Sequence, residues 1–293
     1  MKFADIGKQL RAFRLESGMR AEEIAARLGV SRAALYRYEK GEVIKLETIR
    51  RLAELLKVSP VALLGISIEY YARPLAYAER LRNLEESADQ LVQIGGAVCE
   101  PGNSDAMEGA LAEIWSELAE RSGDRTLARS ALDQQLQTLT ERRRALALRR
   151  PAMIVVLSEP AIRRFLAEGV GGDLALPDRL RARCQVAAAA EVSALAALIE
   201  ESPLGLQVGL AQGLVPQSPF RILRQRDRAH VVIAPMPIEL PPWTSSGVAA
   251  VTSAEDAVAA HQRVAEAIWR EALKGPAVAV RLRELVRAAE EQR

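Results

Sequence analysis

Apolar and polar positions in the first 65 residues follow the period of short amphipathic helices. Apolar residues recur every three or four positions, and successive groups end at Gly18, Gly29 and Gly41. The groups are Phe3, Ile6, Leu10 and Phe13; Ile24, Ala25 and Leu28; Leu35 and Tyr38; and Leu46, Ile49, Leu52, Ala53 and Leu56. Ser59-Pro60 supplies the N-cap and first position of a further short helix. The pattern predicts an all-α unit of five helices over residues 1–65.

The connection between the second and third predicted helices carries specific local signals. Gly29 suits a tight turn with positive φ, Val30 can fill the core beneath that turn, and Ser31 can cap the third helix. With Leu35 and Tyr38 turned inward, the third helix presents a different set of residues on its outer face. That set is Arg32, Ala33, Tyr36 and Arg37. Such a face is either ordinary solvated surface or a surface that contacts a partner.

Residues 66–148 are also predicted to be mainly helical. The stretch 67–94 has the pattern of a long helix apart from Pro74, with an apolar stripe. The stripe consists of Leu81, Leu84, Ala88, Leu91 and Val92. This helix either connects two domains and contributes to a dimer interface, or belongs to the core of the second domain. Loop-forming residues 95–105 follow, and then helical stretches at about 104–121 and 126–148.

Residues 149–293 show a different texture. Short apolar runs rich in β-branched residues, separated by turn signals, predict four or five strands at 152–157, 205–211, 220–225, 230–236 and, more weakly, 247–253. Helices are expected at 177–200, 253–273 and 277–290. We expect an α/β or α+β domain over 149–293, although residues 66–293 are also compatible with a single domain.

Charge is distributed unevenly along the chain. The whole protein has a formal net charge of +2. The first 65 residues carry 13 Lys and Arg against 8 Asp and Glu, whereas the remainder carries 27 against 30. A basic N-terminal unit joined to a nearly neutral remainder indicates that the N-terminal unit meets a polyanion.

The N-terminal residues resemble the DNA-binding domain of the Xre/Cro/phage-repressor family of helix-turn-helix regulators. The resemblance covers about 60 residues and includes "AARLGVS" at the turn, "YEKG" at the end of the third helix and "LETIRRLAELLKV" in the fourth. It implies a buried ion pair between Arg14 and Glu39, which ties the first helix to the third.

The same resemblance implies a set of DNA contacts. Ser31, Arg32, Ala33, Tyr36 and Arg37 would lie at the DNA, with Arg32 and Arg37 suited to bidentate contact with guanine and Ala33 to a thymine methyl group. Ser31, Lys40 and Lys45 would contact phosphates. The family often begins the second helix with Ser-Gln, whereas this chain has Arg20-Ala21. We expect Arg20 to contact a phosphate instead.

The remainder of the chain contains residues that suit an effector pocket. Aromatic residues are scarce, at 4% of the chain, so those near predicted loops and strand ends stand out, as do arginines beside them. The candidate pocket residues are Trp115, Phe165, Phe220, Arg221, Arg224 and Trp243. Taken alone, each of these residues can also be an ordinary core or surface residue. Together they would suit a small anionic or aromatic effector. The Pro-rich segment 236–247 could cover such a pocket.

Other chemistry finds little support in the sequence. The chain contains no P-loop, no H-E-x-x-H and no G-x-S-x-G motif. Cys99 and Cys184 are far apart, and the two histidines, His230 and His261, are not arranged as metal ligands. We therefore expect no metal, no cofactor and no catalytic residues. No apolar run suits a membrane span or a signal peptide, so we expect a cytoplasmic protein.

These observations combine into one expected function. We expect a bacterial transcriptional regulator in which residues 1–65 bind double-stranded DNA, 66–148 connect and dimerise, and 149–293 sense an effector. A homodimer would bind a pseudo-palindromic operator, because one recognition helix reads only a few base pairs. Two alternatives are an enzyme fused to a helix-turn-helix domain and an antitoxin-like regulator that binds a partner protein.

Overall fold

The computed structural model describes residues 3–42, 44–64, 68–99, 103–213, 215–216, 218–245 and 247–292. Three sequence predictions fall partly outside these residues. They are the inward side chain of Phe3, the boundary between residues 65 and 66 together with the start of the long helix at Ser67, and residues 100–102 of the predicted loop.

Five helices form the N-terminal part, as the sequence predicts. They are α1 (Phe3–Ser17), α2 (Ala21–Leu28), α3 (Arg32–Glu39), α4 (Leu46–Leu56) and α5 (Pro60–Leu63). Ile24, Leu35 and Leu52 are fully buried at the centre of their common core. The Ser59 hydroxyl accepts a hydrogen bond from the backbone N–H of Ala62 at 3.0 Å, which starts α5.

The rest of the described chain combines one sheet with seven helices. In chain order the elements are β1 (Glu69–Tyr71), α6 (Pro74–Glu85), β2 (Gln90–Ile94), α7 (Asp105–Glu120), α8 (Arg125–Arg149), β3 (Ala152–Ser158), α9 (Glu159–Glu168), α10 (Asp178–Glu201), β4 (Leu206–Ala211), β5 (Phe220–Arg224), β6 (Ala229–Ile233), β7 (Ala249–Thr252), α11 (Glu255–Glu271), β8 (Leu273–Lys274) and α12 (Pro276–Glu290). Mixed helices and strands confirm the expected fold class.

The sheet has eight strands in the order β1-β7-β6-β5-β2-β3-β4-β8. Strands β2, β3 and β4 are parallel, and every other neighbouring pair is antiparallel. Helices cover both faces of the sheet. One face packs against α1 and α6 at one end and against α9, α10 and α12 at the other, whereas α11 covers the opposite face.

The prediction of one long helix over 67–94 is wrong. Pro74 does not interrupt a helix but begins α6 at its first turn, where a missing N–H costs nothing. Leu81 and Leu84 belong to α6, whereas Leu91 and Val92 lie in β2, at the centre of the sheet. A central strand is apolar on both faces, so its residues extended the apparent helical stripe. The short strands β1 and β8 were also missed.

One apolar core runs without a break from the N-terminal helices into the sheet. Residues of α1–α5 pack together with Leu81 of α6, Leu91 of β2, Leu223 of β5 and Val251 of β7. The N-terminal helices therefore sit directly on the larger part of the protein.

Among the described helices, α10 alone has the length and apolar composition of a membrane span. It packs against α7, α9 and α12, and Cys184, Ala188 and Val192 lie in buried clusters. Its apolar face is therefore accounted for by contacts within the protein. Both cysteines are buried, and neither forms a disulfide.

Candidate nucleic-acid interface and an adjoining cavity

The connection from α2 to α3 has the geometry that its sequence predicts. Gly29 adopts φ 72° and ψ 30°, and a Cβ atom there would meet nothing within 4 Å, so the backbone conformation alone favours glycine. The backbone N–H of Val30 donates to the Ala25 carbonyl at 3.0 Å, and the Val30 side chain packs on the core. The Ser31 hydroxyl then accepts the backbone N–H of Ala34 at 3.1 Å and caps α3.

All eight side chains that we expect at DNA are exposed. They are Arg20, Ser31, Arg32, Ala33, Tyr36, Arg37, Lys40 and Lys45. The exposed fractions of the Arg32 and Arg37 side chains are 59% and 62%. Arg20 and Lys45 occupy the N-cap positions of α2 and α4 without a side-chain cap, so a cation stands at the start of each helix, where phosphates bind favourably.

The outer face of α3 is held by weak local contacts. Arg32 pairs with Glu22 at 2.7 Å and donates to the Tyr36 hydroxyl, and its guanidinium lies 5.3 Å from the centre of the Tyr36 ring. The Tyr36 hydrogen bond and the Glu22 carboxylate raise the pKa of Arg32. Arg37 lies 3.4 Å from a carboxylate oxygen of Glu42. Exposed ion pairs of this kind contribute little stability, so both guanidinium groups can exchange these partners for DNA at small cost.

Contacts with α1 fix the position of α3. Arg14 Nε donates to Glu39 Oε1 at 2.6 Å and Arg14 Nη2 to Glu39 Oε2 at 3.2 Å, and 14% and 6% of the two side chains are exposed. Gly7 lies directly against the C-terminal end of α3, because a Cβ atom there would be 2.6 Å from the Tyr38 carbonyl oxygen. An ion pair as buried as that of Arg14 and Glu39 fixes the geometry of the two helices more than it adds stability.

Helix α1 is in turn attached to α6. Lys8 forms an ion pair with Glu86 at 3.2 Å, and Arg11 forms one with Glu79 at 3.4 Å. The Glu16 carboxylate also accepts hydrogen bonds from the backbone N–H groups of Ala72 and Arg73, directly before α6, at 2.7 and 2.9 Å. The N-terminal helices are therefore joined to α6 by polar contacts as well as by the shared core.

A cavity of about 470 Å³ lies on the other side of α6. Pro74, Tyr77, Ala78 and Leu81 of α6 form one wall, and Gln135, Leu139 and Arg142 of α8 form another. Residues 235–240 close one side, where Trp115 Nε1 donates to the Glu239 carbonyl oxygen at 2.9 Å. This places part of the Pro-rich segment at the cavity. Its volume falls within the range of small-molecule sites.

The structure brings only some of the predicted pocket residues together. Trp115, Phe165 and Arg221 line the cavity, and Phe220, Arg224 and Trp243 do not. Side chains alternate along a strand, so Phe220 and Arg224 lie on the opposite face of the sheet from Arg221.

There, Phe220 packs edge-on against His261 with ring centres 4.9 Å apart, and Arg224 donates to Gln262 at 2.7 Å. Trp243 does not line the cavity, but it packs in the same apolar cluster as Trp115 and Phe165.

Polar groups at the cavity come mainly from α8 and β5. Arg142 donates from Nε and Nη2 to Glu85 at 2.7 and 2.8 Å, and Arg221 Nη1 lies 3.9 Å from the same carboxylate. All three side chains are more than nine-tenths buried. The side-chain oxygen of Gln135 is buried and has no hydrogen-bond partner among the described residues.

Sequence reasoning missed Tyr77, Gln135 and Arg142. The helical period puts Gln135, Leu139 and Arg142 on one face of α8, but nothing in the sequence shows that this face meets a cavity. The described residues hold no cluster of three or more His, Cys, Asp or Glu that could bind a metal ion. His230 is buried, and His261 Nδ1 lies 2.8 Å from the Ala257 carbonyl oxygen.

Five helices with a capped third helix behind a left-handed glycine define a helix-turn-helix protein. Residues 5–64 match the family described as "Helix-turn-helix domain". The N-terminal part of this chain is therefore similar to helix-turn-helix domains, as the sequence predicts, whereas the narrower assignment to the Xre/Cro/phage-repressor family stays a prediction.

Two curated relatives extend the similarity beyond this domain. A protein of Pyrococcus horikoshii, named as a candidate HTH-type transcriptional regulatory protein, is 30% identical over 174 residues, which are 56% of this chain and 54% of the relative. A protein of the same description from Pyrococcus abyssi is 28% identical over 173 residues, with the same coverage. The chain thus spans about half the length of the curated relatives it matches. Both organisms are archaea, so the expected bacterial origin gains no support.

A solved structure of TrmBL2, an archaeal chromatin protein with a described mode of DNA binding, is also similar. It aligns with 78% of this chain and 60% of its own length, at 10% identity and a TM-score of 0.36. That TM-score is too low to establish a common fold.

Proposed function

We propose that this protein is a sequence-specific DNA-binding transcriptional regulator that acts as a homodimer and responds to a small effector. The observation that carries the proposal is the outer face of α3, where Arg32, Tyr36 and Arg37 are exposed to solvent and only weak surface ion pairs hold the two arginines. The names of the two Pyrococcus relatives support the same function.

Each predicted contact has a role in this proposal. Arg32 and Arg37 contact base edges in the major groove, and Ala33 contacts a thymine methyl group. Arg20, Lys40 and Lys45 bind phosphates. Ser31 contributes a phosphate contact besides its cap. Two copies are needed because one α3 covers only a few base pairs, and a two-fold dimer places its half-sites about 34–36 Å apart.

The cavity supports the sensing part of the proposal. Its described lining combines apolar and aromatic side chains with a few polar groups, which include two arginines, two glutamines, Ser218 and Glu239. Such a lining is typical of a small-molecule binding site.

The test begins with selection of bound duplexes from a random pool by the full-length chain. Arg37→Ala should then weaken binding to the selected duplex by about 1–3 kcal/mol, or roughly 5- to 150-fold, in a polarisation titration. Arg50→Ala is the matched control, because Arg50 is exposed in the same domain and its ion pairs with described residues are those with Glu47 and Glu54 of its own helix. Circular dichroism should show both variants folded.

The same titration provides two further readouts. Binding should weaken steeply between 50 and 200 mM salt, by about 10³-fold or more for six or more phosphate contacts. Sedimentation should show a dimer on a duplex with two half-sites. Unchanged affinity of Arg37→Ala, a flat salt response or failure to enrich any sequence would each overturn the proposal.

A further inference from the structure

Among the described residues, the cavity between α6 and α8 holds a buried polar group without a hydrogen-bond partner. Gln135 is 9% exposed, lines the cavity, and its side-chain oxygen has no hydrogen-bond partner among the described residues. A buried acceptor without a donor is uncommon in proteins and is normally met by water or a ligand. At this position a ligand that enters the cavity can supply the donor.

A second group on the same face of α8 offers donors. Arg142 gives Nε and Nη2 to Glu85, and a guanidinium group carries three further N–H bonds. Only 9% of the Arg142 side chain is exposed, so an anion that reaches it is shielded from water. Arg221 lines the same cavity and adds a second buried guanidinium group.

The body of the cavity between these groups is apolar and partly aromatic. Leu139 lies between Gln135 and Arg142 on the helix, and Tyr77, Trp115 and Phe165 stand around them. Positions 135 and 142 are seven residues apart, which is about 10 Å along the axis of a helix. The site therefore suits a molecule with an anionic group, an apolar body and a separate hydrogen-bond donor.

We propose that this cavity binds a small organic carboxylic acid with an aromatic or aliphatic body and a hydroxyl or amine group. The carboxylate lies at Arg142 and Arg221, and the hydroxyl or amine donates to Gln135 Oε1. Binding acts on α6, because Glu85 of α6 is the carboxylate that Arg142 holds. This inference names the effector class of the proposed regulator and rests on that function for its effect on DNA.

The route from the cavity to α1 runs through a single helix. Tyr77, Ala78 and Leu81 of α6 face the cavity, whereas Glu79 of α6 pairs with Arg11 of α1. A carboxylate bound to the remaining N–H groups of Arg142 shares that guanidinium with Glu85 and alters the contact that holds α6 to α8. An effector shifts DNA affinity only if it favours one arrangement of these helices over the other.

The test uses 4-hydroxyphenylacetate as the probe and the full-length chain without DNA. We expect tryptophan fluorescence and calorimetry to give a Kd of about 1 mM or tighter, as small polar-apolar fragments reach in a fitting site. Its methyl ester, which lacks the charge, and inorganic phosphate, which lacks the body, should each bind at least about tenfold more weakly.

Two variants test the assignment to Gln135. Gln135→Leu should weaken the binding of 4-hydroxyphenylacetate about tenfold. It should leave the affinity for phenylacetate, which lacks the hydroxyl group, unchanged. Gln137→Leu is the matched control, because Gln137 is exposed on α8 and outside the cavity, and it should change neither affinity. Thermal unfolding should show Gln135→Leu folded, since the side-chain oxygen that it removes has no hydrogen-bond partner among the described residues.

The outcomes are separable from those of the DNA experiments. No binding of the probe, equal binding of its ester, or an unchanged affinity in Gln135→Leu overturns the site. In the wild type the probe should change the affinity for the selected duplex about fivefold or more, and in Gln135→Leu it should change it much less at the same concentration. Binding of the probe without this change overturns the coupling through α6. Failure of the DNA selection overturns the proposed function but leaves the binding results intact.

Discussion

Gly7 offers a direct test of how α1 positions the recognition helix. A Cβ atom at Gly7 would lie 2.6 Å from the carbonyl oxygen of Tyr38, and 2.7 Å from both the Glu39 carbonyl oxygen and the Gly41 backbone nitrogen. All three atoms are backbone at the C-terminal end of α3, so no side chain can rotate away. Gly7→Ala must therefore push α1 and α3 apart.

The size of the effect follows from two opposing contributions. Alanine stabilises a helix interior relative to glycine by about 0.5–1 kcal/mol. Overpacking of a tight contact costs about 1–3 kcal/mol, and backbone atoms on both sides place this case at the upper end. We expect Gly7→Ala to lower the free energy of unfolding by about 2 kcal/mol. It should also displace Glu39 from Arg14 and weaken DNA binding.

Urea unfolding followed by circular dichroism measures the first effect, and titration of the selected duplex measures the second. Gly109→Ala is the matched control, since Gly109 lies within α7 and a Cβ there meets nothing within 4 Å. That variant should be about 0.5–1 kcal/mol more stable than the wild type. If Gly7→Ala is as stable as Gly109→Ala, the close approach of α1 and α3 is not a feature of the protein in solution.

Three further predictions concern stability. Hydrogen bonds from Arg281, and then from Gln212 and Arg163, lower the pKa of Glu159 to about 2. Stability should therefore fall as the pH drops from about 4.5 towards 2. Glu159→Gln should make the melting temperature less dependent on pH in that range. Burial lowers the pKa of His230 to about 3, so on acidification the unfolded chain takes up this proton at a higher pH than the folded protein. Stability should therefore fall as the pH drops below about 6.5. His230→Leu should remove this loss of stability between pH 6.5 and 4.5 in the same thermal scans. Lys57 ends α4 at φ 57°, so Lys57→Gly should raise the free energy of unfolding in urea by about 0.5–1 kcal/mol, and lower stability would contradict the strain assigned there.

The N-terminal domain could be predicted from the sequence because its signals are local. Gly29, Ser31 and the Ser59-Pro60 pair each specify a backbone conformation within one turn, independently of the rest of the chain. The structure adds what local signals do not contain. Gly7 looks like a weak point in a helix, and only the position of α3 shows that glycine is required there.

The centre of the protein could not be predicted in this way. Strand β2 has apolar residues on both faces because helices cover both faces of the sheet, and a periodicity argument cannot separate such a strand from a buried helix. The cavity shows the same limit. Arg221 and Phe220 are neighbours in sequence, and which of the two faces the cavity depends on the register of β5 against β2.

Helix α6 determines what kind of control this architecture allows. The N-terminal helices are not a module on a free linker, because they share a core with α6 and the sheet, and α1 is paired with α6 through Arg11 and Lys8. Rigid-body freedom of the DNA-binding surface is therefore limited to what α6 permits. In a two-fold dimer, both copies of α3 must match half-sites at a fixed spacing, and a small tilt of α6 changes that spacing at both sites at once. Packed interfaces of this kind switch between discrete arrangements more readily than they deform. Under the proposed function, a ligand that alters the Arg142–Glu85 contact would therefore act on the helix to which α1 is attached.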